Sequence, residues 1–171
     1  MSVTLQTPRL VMRRPQPGDW MAFHDFMMSD RSTHFGAHMD LAKIWRSFAA
    51  ELGHWEIFGY GMWAVTIRGD NDCVGLVGPW TPPDWPETEI GWMMFDASIE
   101  GTGIATEAAD AAVKHAYDVL GWQTAVSYIG HTNARSIKLA EKLGAKLDVA
   151  AIGPTQDTLV YRHPVPRGVI L

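Results

Sequence analysis

The sequence has little cysteine and no long apolar run, and each shortage excludes a class of protein. Cys73 is the single cysteine, so it can form neither an internal disulfide nor, alone, a cysteine-based zinc site. No segment approaches the ~20 apolar residues that a transmembrane helix needs. Residues 1–14 lack the basic segment and apolar run of a secretory signal. We therefore expect a cytoplasmic protein with no membrane partner.

Basic residues are also too few to form a nucleic-acid-binding surface. The chain has 14 Lys and Arg against 19 Asp and Glu, which gives a formal net charge of -5. No stripe of Lys and Arg overrides that average. The seven histidines are scattered, with no pair at the spacing of a helical metal site. We expect neither nucleic acid nor a metal as a partner, and both a monomer and a homodimer remain open.

The composition that is present is typical of a globular domain. Apolar residues make up 47% of the chain and charged residues 19%, a balance that does not favour disorder. A chain of 171 residues is long enough to bury a sizeable core as one domain, residues 1–171. Eight tryptophans and nine methionines are expected mainly to fill that core.

Hydrophobic periodicity predicts strands and helices along the whole chain. Strands are predicted over residues 3–13, 62–68, 73–77, 89–95, 124–128, 147–150 and 159–162. Helices are predicted after the capping residues Asp19, Asp40 and Asn133, and over residues 104–120. The second helix carries an apolar stripe made of Leu41, Ile44, Phe48, Leu52 and Trp55. This order predicts a mixed sheet with helices packed on its faces.

One glycine-containing segment, Gly101-Thr102-Gly103-Ile104-Ala105-Thr106, follows a predicted strand and opens the predicted third helix. Glycines at such a junction let the backbone curl without a Cβ clash. The free N–H groups and the helix dipole then converge on one spot, which suits a phosphate group. Two glycines alone are also compatible with a turn that merely begins a helix, so the pattern by itself leaves both interpretations open.

Together with residues elsewhere in the chain, this segment resembles the GNAT acetyltransferases. Gly103 and Ala105 match the last two fixed positions of their signature for the CoA pyrophosphate, which is Arg or Gln, two residues, Gly, one residue, then Gly or Ala. Further matches are Thr7, Arg9, Leu10 and Arg13 at the start, Glu89-Ile90-Gly91-Trp92 before the loop, and Asn133, Ser136, Leu139, Glu141-Lys142 and Gly144 after it. Ser136, three residues after Asn133, is similar to the ribosomal-protein alanine N-acetyltransferase (RimJ/RimL-like) subgroup.

The resemblance implies both a fold and an activity. The fold is α/β (α+β), with a mostly antiparallel sheet of about six or seven strands and helices on both faces. The activity is direct transfer of acetyl from acetyl-CoA to a primary amine of a protein N-terminus or a small molecule. The implied CoA contacts are Met93, Met94, Gly101, Thr102, Gly103, Ile104, Ala105, Thr106, Asn133 and Ser136.

Candidate catalytic residues follow from the chemical steps that acetyl transfer requires. Glu89 is the first candidate for general base, because it lies on the strand that leads to the acetyl site, and Asp96 is a weaker alternative. Ser136 is the candidate that donates a hydrogen bond to the leaving thiolate, because Ala140 occupies the position of the family's usual tyrosine. Glu89 is also compatible with a solvent-facing strand carboxylate, and Ser136 with a serine bonded to its own helix backbone.

The acceptor site and the role of Glu100 are less well defined by the sequence. Trp20, His34 and Phe35 lie in or between the first two helices, a region that covers the acceptor in the family. Glu100 stands where the family has Arg or Gln, and a carboxylate there is expected to repel a pyrophosphate. Glu100 and the missing tyrosine keep a second hypothesis open, a catalytically silent module that binds or senses acyl-CoA.

Overall fold

The computed structural model describes residues 3–36 and 39–166. Within them an eight-stranded sheet has the order β1-β2-β3-β4-β5-β6-β8-β7. Neighbouring strands are antiparallel except for β5 and β6, which are parallel. The strands are β1 Leu5–Gln6, β2 Leu10–Arg13, β3 Trp63–Ile67, β4 Gly75–Trp80, β5 Glu89–Met94, β6 Val126–Gly130, β7 Lys146–Leu147 and β8 Thr158–Arg162. The predicted mixed, mostly antiparallel sheet is therefore confirmed.

One of the seven predicted strands is divided in two, which raises the count to eight, and another is shorter than predicted. β7, predicted over residues 147–150, contains only Lys146–Leu147. The single strand predicted over residues 3–13 is two strands in the structure. A turn closed by the Thr7 N–H and the Leu10 carbonyl (3.1 Å) separates them.

Four α-helices pack on the two faces of the sheet: α1 Trp20–Met28, α2 Leu41–Phe58, α3 Ile104–Asp118 and α4 Ala134–Lys142. Asp40 and Asn133 cap α2 and α4 as predicted, each accepting a hydrogen bond from a first-turn N–H. Asp19 occupies the N-cap position of α1 as predicted, but its side chain makes no capping hydrogen bond. Its buried carboxylate instead pairs with Arg13 at 2.7 Å and accepts from the Gln16 N–H. None of the helices in residues 3–36 and 39–166 is long and apolar enough to cross a membrane.

The sheet separates two apolar cores. On one face lies α3, whose fully buried small residues let it approach the strands closely: Ala108, Ala109, Ala112 and Ala116. On the other face, α1 and α2 contribute Phe23, Ile44 and Phe48, which pack with Leu76 and Met93 of the sheet. Helices on both faces were predicted, and this prediction is confirmed.

The buried face of α2 contains Ile44, Phe48 and Trp55 of the predicted stripe and differs from it at Leu41 and Glu51. Leu41 is 61% exposed, whereas Glu51 is only 5% exposed. Ile44, Phe48, Glu51 and Trp55 are spaced by four, three and four residues, so they share one side of the helix. Tertiary packing has therefore turned a carboxylate, rather than Leu41, toward the interior, and Leu52 packs half-buried against the same core.

The opening strands tie down the start of α3. Thr7 Oγ1 and the Arg9 N–H donate to Glu107 Oε1 at 2.5 and 2.9 Å, and Arg9 Nε donates to Oε2 at 2.6 Å. Arg9 Nη1 also donates to the Thr102 carbonyl at 2.8 Å. These contacts give Thr7 and Arg9 a structural role, since they hold the glycine-containing loop against the sheet.

β5 and β6 separate almost as soon as they pair. Their register contains one pair, Glu89 with Val126, whereas β5 stays paired with β4 as far as Met94. Ser127 Oγ still reaches the Ile90 carbonyl at 2.6 Å, and beyond that point β6 pairs with β8 alone. A gap therefore opens along the edge of β5 from Trp92 to Met94.

Candidate active site

Two cavities meet at the gap beside β5. The cationic cavity, of about 380 Å³, lies between the start of α3 and α4 and is named for Arg31, Arg135, Lys138 and Lys142 in its wall. The acidic cavity, of about 760 Å³, lies between α2, β5 and β6 and is named for Glu51, Asp84, Glu89 and Asp157. Both cavities are lined by His34, Phe35, Trp92, Asn133 and Ser136. A ligand in one cavity therefore ends where a ligand in the other begins.

The predicted glycine-containing loop forms one wall of the cationic cavity. Gly101 and Gly103 have φ angles of +75° and +83°, a left-handed conformation that side chains other than glycine rarely adopt. The cavity is lined by four loop residues, Gly101, Gly103, Ala105 and Thr106. They lie at the N-terminal end of α3, where backbone N–H groups lack helical partners.

The other two loop residues named from the sequence turn away from that cavity. Thr102 Oγ1 donates to the Ile99 carbonyl at 2.6 Å. The side chain of Ile104 is 7% exposed and belongs to the core.

Glu100 is paired with two arginines, whose positive charges oppose the repulsion expected of its carboxylate. Its Oε1 accepts hydrogen bonds from Arg31 Nη1 and Arg135 Nη1, both at 2.5 Å. The bond from Arg31, helped by Arg135, holds the pKa of the Glu100 carboxyl below its usual range. Four cations and one carboxylate leave this cavity with a positive balance.

Sequence reasoning missed these cations. Arg135, Lys138 and Lys142 recur at helical spacing on α4, so their clustering on one face was a usable signal. No such sequence signal marked Arg31, because it comes from the short 3-10 helix Asp30–Phe35, far from Glu100 in the chain.

Backbone N–H groups of β5 point into the gap. Successive residues of a strand direct their N–H and C=O groups to opposite edges. The Phe95 N–H donates to Val74 beside β4 at 2.8 Å, whereas the Ile90 carbonyl faces Ser127 on β6. By this alternation the amides of Trp92 and Met94 face the gap and that of Met93 faces β4. Of the two predicted methionines, Met94 therefore offers the available N–H.

Ser136 lies at the junction of the two cavities, where β5 and α4 hold it. The Trp92 indole N–H donates to Ser136 Oγ at 3.1 Å, and the Ser136 backbone N–H donates to Asn133 Oδ1 at 3.2 Å. The hydroxyl thus acts as an acceptor for Trp92, which leaves its own hydrogen available for another partner. No bond from this hydroxyl to the α4 backbone is present within the described residues.

Glu89 is buried in the wall of the acidic cavity and does not face solvent. The Trp85 indole N–H donates to its carboxylate, and burial raises the pKa of Glu89 to about 7. A Cβ placed on Gly91 would lie 3.8 Å from Glu89 Oε1, so the carboxylate leans along β5 in the direction of Met94.

A second buried carboxylate, Glu51, lines the same cavity and was not singled out from the sequence. Burial, and secondarily the charge of Glu89, raises the pKa of Glu51 to about 8. Within the described residues neither of its oxygens takes part in a hydrogen bond, and Oε2 is wholly buried. Glu51 could have been recognised as a carboxylate on the apolar side of α2. The predicted stripe included its neighbour Leu52 and left Glu51 out.

The remaining predicted residues separate into two groups. His34 and Phe35 line both cavities. Trp20 lies apart from the gap, packed on Phe48 with ring centroids 5.6 Å apart and bordering an exposed groove with Trp45. Asp96 also lines neither cavity. It caps the 3-10 helix Ala97–Ile99, where the Ser98 N–H holds the pKa of Asp96 below its usual range.

A metal centre is not formed by the residues that the structure describes. No group of three or more His, Cys, Asp or Glu side chains comes together there as ligands would. Cys73 is buried, and burial raises the pKa of its thiol to about 12.

Comparisons with known proteins point to one family. The acetyltransferase (GNAT) domain matches residues 9–146 of this chain. The crystal structure of an acetyltransferase from Agrobacterium tumefaciens strain C58 is similar at 37% sequence identity and a TM-score of 0.90. That match covers 95% of this chain and 94% of the other.

Two more distant structures share the fold. RimL, a ribosomal L7/L12 alpha-N-protein acetyltransferase, is 15% identical with a TM-score of 0.72, over 95% of this chain and 93% of its own. An aminoglycoside acetyltransferase in complex with coenzyme A is 16% identical with a TM-score of 0.74, over 91% of this chain and 94% of its own. At these identities the likeness concerns the fold alone.

We predict that replacing Glu51 by Gln stabilises the protein increasingly as pH rises. The folded protein holds a proton on Glu51 up to a pKa of about 8, which the unfolded chain releases near its ordinary pKa. The parent therefore loses stability between about pH 5 and pH 8, and the variant should exceed it by about 2–4 kcal/mol above that window. Urea unfolding at stepped pH measures the difference. Glu56→Gln, exposed on the same helix, is the control, and an equally flat pH response in both variants would contradict the prediction.

Proposed function

The chain belongs to the GNAT acetyltransferase family, and on that premise we propose that it acts as a single domain that moves an acetyl group from acetyl-CoA directly to a primary amine. The observation that carries the proposal is the meeting of a cationic and an acidic cavity at the edge of β5. One cavity suits a phosphate-bearing donor and the other a basic acceptor. The residues shared by both lie where donor and acceptor would touch.

The cationic cavity fits the phosphates of CoA. Gly101 and Gly103 expose backbone N–H groups at the N-terminus of the 15-residue helix α3, where the helix dipole favours negative charge. Arg31 and Arg135 add charge from two sides, and Glu100 holds them in place through its two hydrogen bonds. When bound, acetyl-CoA supplies a thioester, and its pantetheine arm would pass Asn133 on the way to the gap.

The Met94 N–H is suited to stabilise charge on the thioester oxygen. It faces the gap, and Arg31 fixes the end of β5 by donating to the carbonyls of Met94 and Phe95 at 3.2 and 3.1 Å. A donor that is already oriented toward the developing oxyanion needs no rearrangement during the reaction.

Glu89 acts on the proton of the incoming amine, and Ser136 acts on the departing sulphur. Glu89 takes a proton from the incoming ammonium, directly or through water, so that the neutral nitrogen can attack the carbonyl carbon. The C–N bond forms and the C–S bond breaks, and Ser136 donates a hydrogen bond to the departing sulphur. The second amine proton ends on the thiol, so one proton is released for each acetyl group transferred.

The proposal also names the class of acceptor, which is a primary amine of a protein N-terminus or of a small molecule. The spacing of Ser136 and Asn133 favours the RimJ/RimL-like subgroup. The silent acyl-CoA-binding module loses one of its two supports, because Glu100 is neutralised by Arg31 and Arg135. Its other support is the absence of a tyrosine at Ala140, a role that this proposal gives to Ser136.

We predict that acetyl-CoA raises the melting temperature of the protein and that added amines release free thiol. A ligand that binds only the folded state stabilises it by mass action. Gly103→Val should abolish the shift, because its φ of +83° strains any side chain at the phosphate site. Gly69→Val is the matched control, since Gly69 has a φ of +87° in an open turn.

The outcomes of this experiment separate the two hypotheses. A shift without thiol release from any amine would favour the silent module. No shift with millimolar acetyl-CoA would contradict the proposed function altogether.

We predict that Glu89→Gln lowers kcat/KM by about 10²–10⁴-fold, the usual worth of a general base. Because burial raises the pKa of Glu89 to about 7, the activity of the parent should rise with pH through an apparent pKa near that value. This inflection should disappear in the variant, although the titration belongs to the coupled Glu51 and Glu89 pair. Rates at stepped pH measure it, with Asp96→Asn as the control. A pH profile altered by Asp96→Asn but not by Glu89→Gln would reverse the assignment.

We predict that Ser136→Ala lowers kcat by up to about 10²-fold with little change in CoA affinity. The lost hydroxyl acts on charge that develops only in the transition state, so kcat and kcat/KM should fall together. The variant keeps the backbone N–H of residue 136, which donates a hydrogen bond to Asn133 Oδ1, so α4 should remain capped. Steady-state rates and CoA titration measure the two quantities. Undiminished kcat would assign the proton to water.

A further inference from the structure

The acidic cavity has a one-sided charge pattern that the transfer of acetyl does not itself require. Four carboxylates line it, and no Lys or Arg does so among the residues that the structure describes. Only Glu89 has a part in the proposed proton transfers. The cavity has twice the volume of the cationic one, so it has room for more than the reacting amine.

Glu51 is buried in this cavity without a hydrogen-bond partner. It is only 5% exposed, and Oε2 accepts no hydrogen bond from any described residue. Burying an ionised carboxylate without a partner is costly, so the free protein favours a proton on Glu51, and an ammonium beside it would favour the ionised form. No Lys or Arg of the described residues lines this cavity to do so, which leaves the role to a ligand.

Aromatic rings form much of the surrounding wall. Trp80, Trp85 and Tyr128 line the acidic cavity, and the faces of such rings attract ammonium groups. Trp80 is held in place by stacking on His54 at 4.7 Å. His54 adds no positive charge, because Nδ1 donates to the Tyr60 carbonyl and Nε2 accepts from the Thr81 N–H.

We propose that the acceptor is a primary amine with a second cationic group, an aliphatic diamine or polyamine, and that Glu51 binds the second ammonium while Glu89 faces the reacting one. This inference rests on the proposed function, because it names the acceptor class of the same site. The second ammonium keeps its protons throughout and is not consumed.

Ligand binding at this subsite is coupled to proton release. Burial favours the protonated form of Glu51 in the free protein, and an ammonium beside it favours the ionised form. The other titratable groups that line the cavity come from the loops around it and from the sheet: His34, Asp84, Glu89, Tyr128 and Asp157. Most of these groups are acids, so no Lys or Arg in the described part of the wall would repel a dication.

The first arm of the test compares three amines that differ at one end only: putrescine, butylamine and 4-aminobutyrate. With the parent enzyme, kcat/KM for putrescine should exceed that for butylamine by about 10–100-fold, the worth of one hydrogen bond to a charged group. The carboxylate of 4-aminobutyrate should make it the poorest of the three. This arm needs no variant, so it stands whether or not a substitution folds.

The second arm repeats the comparison with Glu51→Gln, in which the ratio of putrescine to butylamine should fall toward one. Glu56→Gln, on the exposed side of the same helix, should keep the parent ratio. An unchanged ratio in Glu51→Gln, or a short peptide with a free N-terminus turned over better than putrescine, would overturn the inference.

The third arm measures putrescine binding without acetyl-CoA, by calorimetry near neutral pH in buffers of different ionisation enthalpy. Putrescine should bind the parent with proton release, and Glu51→Gln should weaken binding and reduce that release. Binding through Glu51 without thiol release would contradict the proposed function and support the subsite. Thiol release with equal use of all three amines would support the function and overturn the subsite.

Discussion

The early separation of β5 from β6 is the constraint on which the rest of the site depends. One parallel pair, Glu89 with Val126, holds the two strands together, and past it β5 keeps hydrogen bonds on only one edge. Unpaired strand amides are costly when buried, so the N–H groups of Trp92 and Met94 must find other partners in the gap. In the proposed reaction a bound acyl group would be such a partner, and it could enter through the cavities on either side.

Charge is distributed around this gap with opposite sign on its two sides. At the cationic cavity, Arg31 and Arg135 converge on Glu100, so three charged side chains order one another at the surface. At the acidic cavity, Glu51 and Glu89 are buried together, and their burial raises both pKa values. Opposite potentials at the two ends of one cleft would guide an anionic donor and a cationic acceptor to meet at Ser136.

From residue patterns alone, the candidate site could be predicted only where its chemistry is local. A strand, two glycines and a helix in direct succession indicated a possible phosphate site at the Gly101 to Thr106 loop, the family resemblance assigned it to CoA, and four of its six residues line the cavity. Asn133 was predicted as a helix cap for the same reason. Arg31 could not be found in this way, because its contact with Glu100 joins residues 69 apart in sequence. Trp20 stands at helical spacing with true core residues, yet packing leaves it at a separate groove.

The sequence by itself determined the elements with a short period: the third helix, the glycine-containing turn before it, most strands of more than two residues, and the side of α2 that carries Ile44, Phe48 and Trp55. Only the tertiary structure decided how far the buried face of α2 extends, because Leu52 and Glu51 are neighbours in the chain and differ by about 100° around the helix axis. Glu51 is buried in addition to the apolar residues, where the sheet and the helices around it leave an acidic cavity. The local sequence pattern indicates which residues can be buried together. Only the packing of segments distant in the chain determines which of these residues are buried.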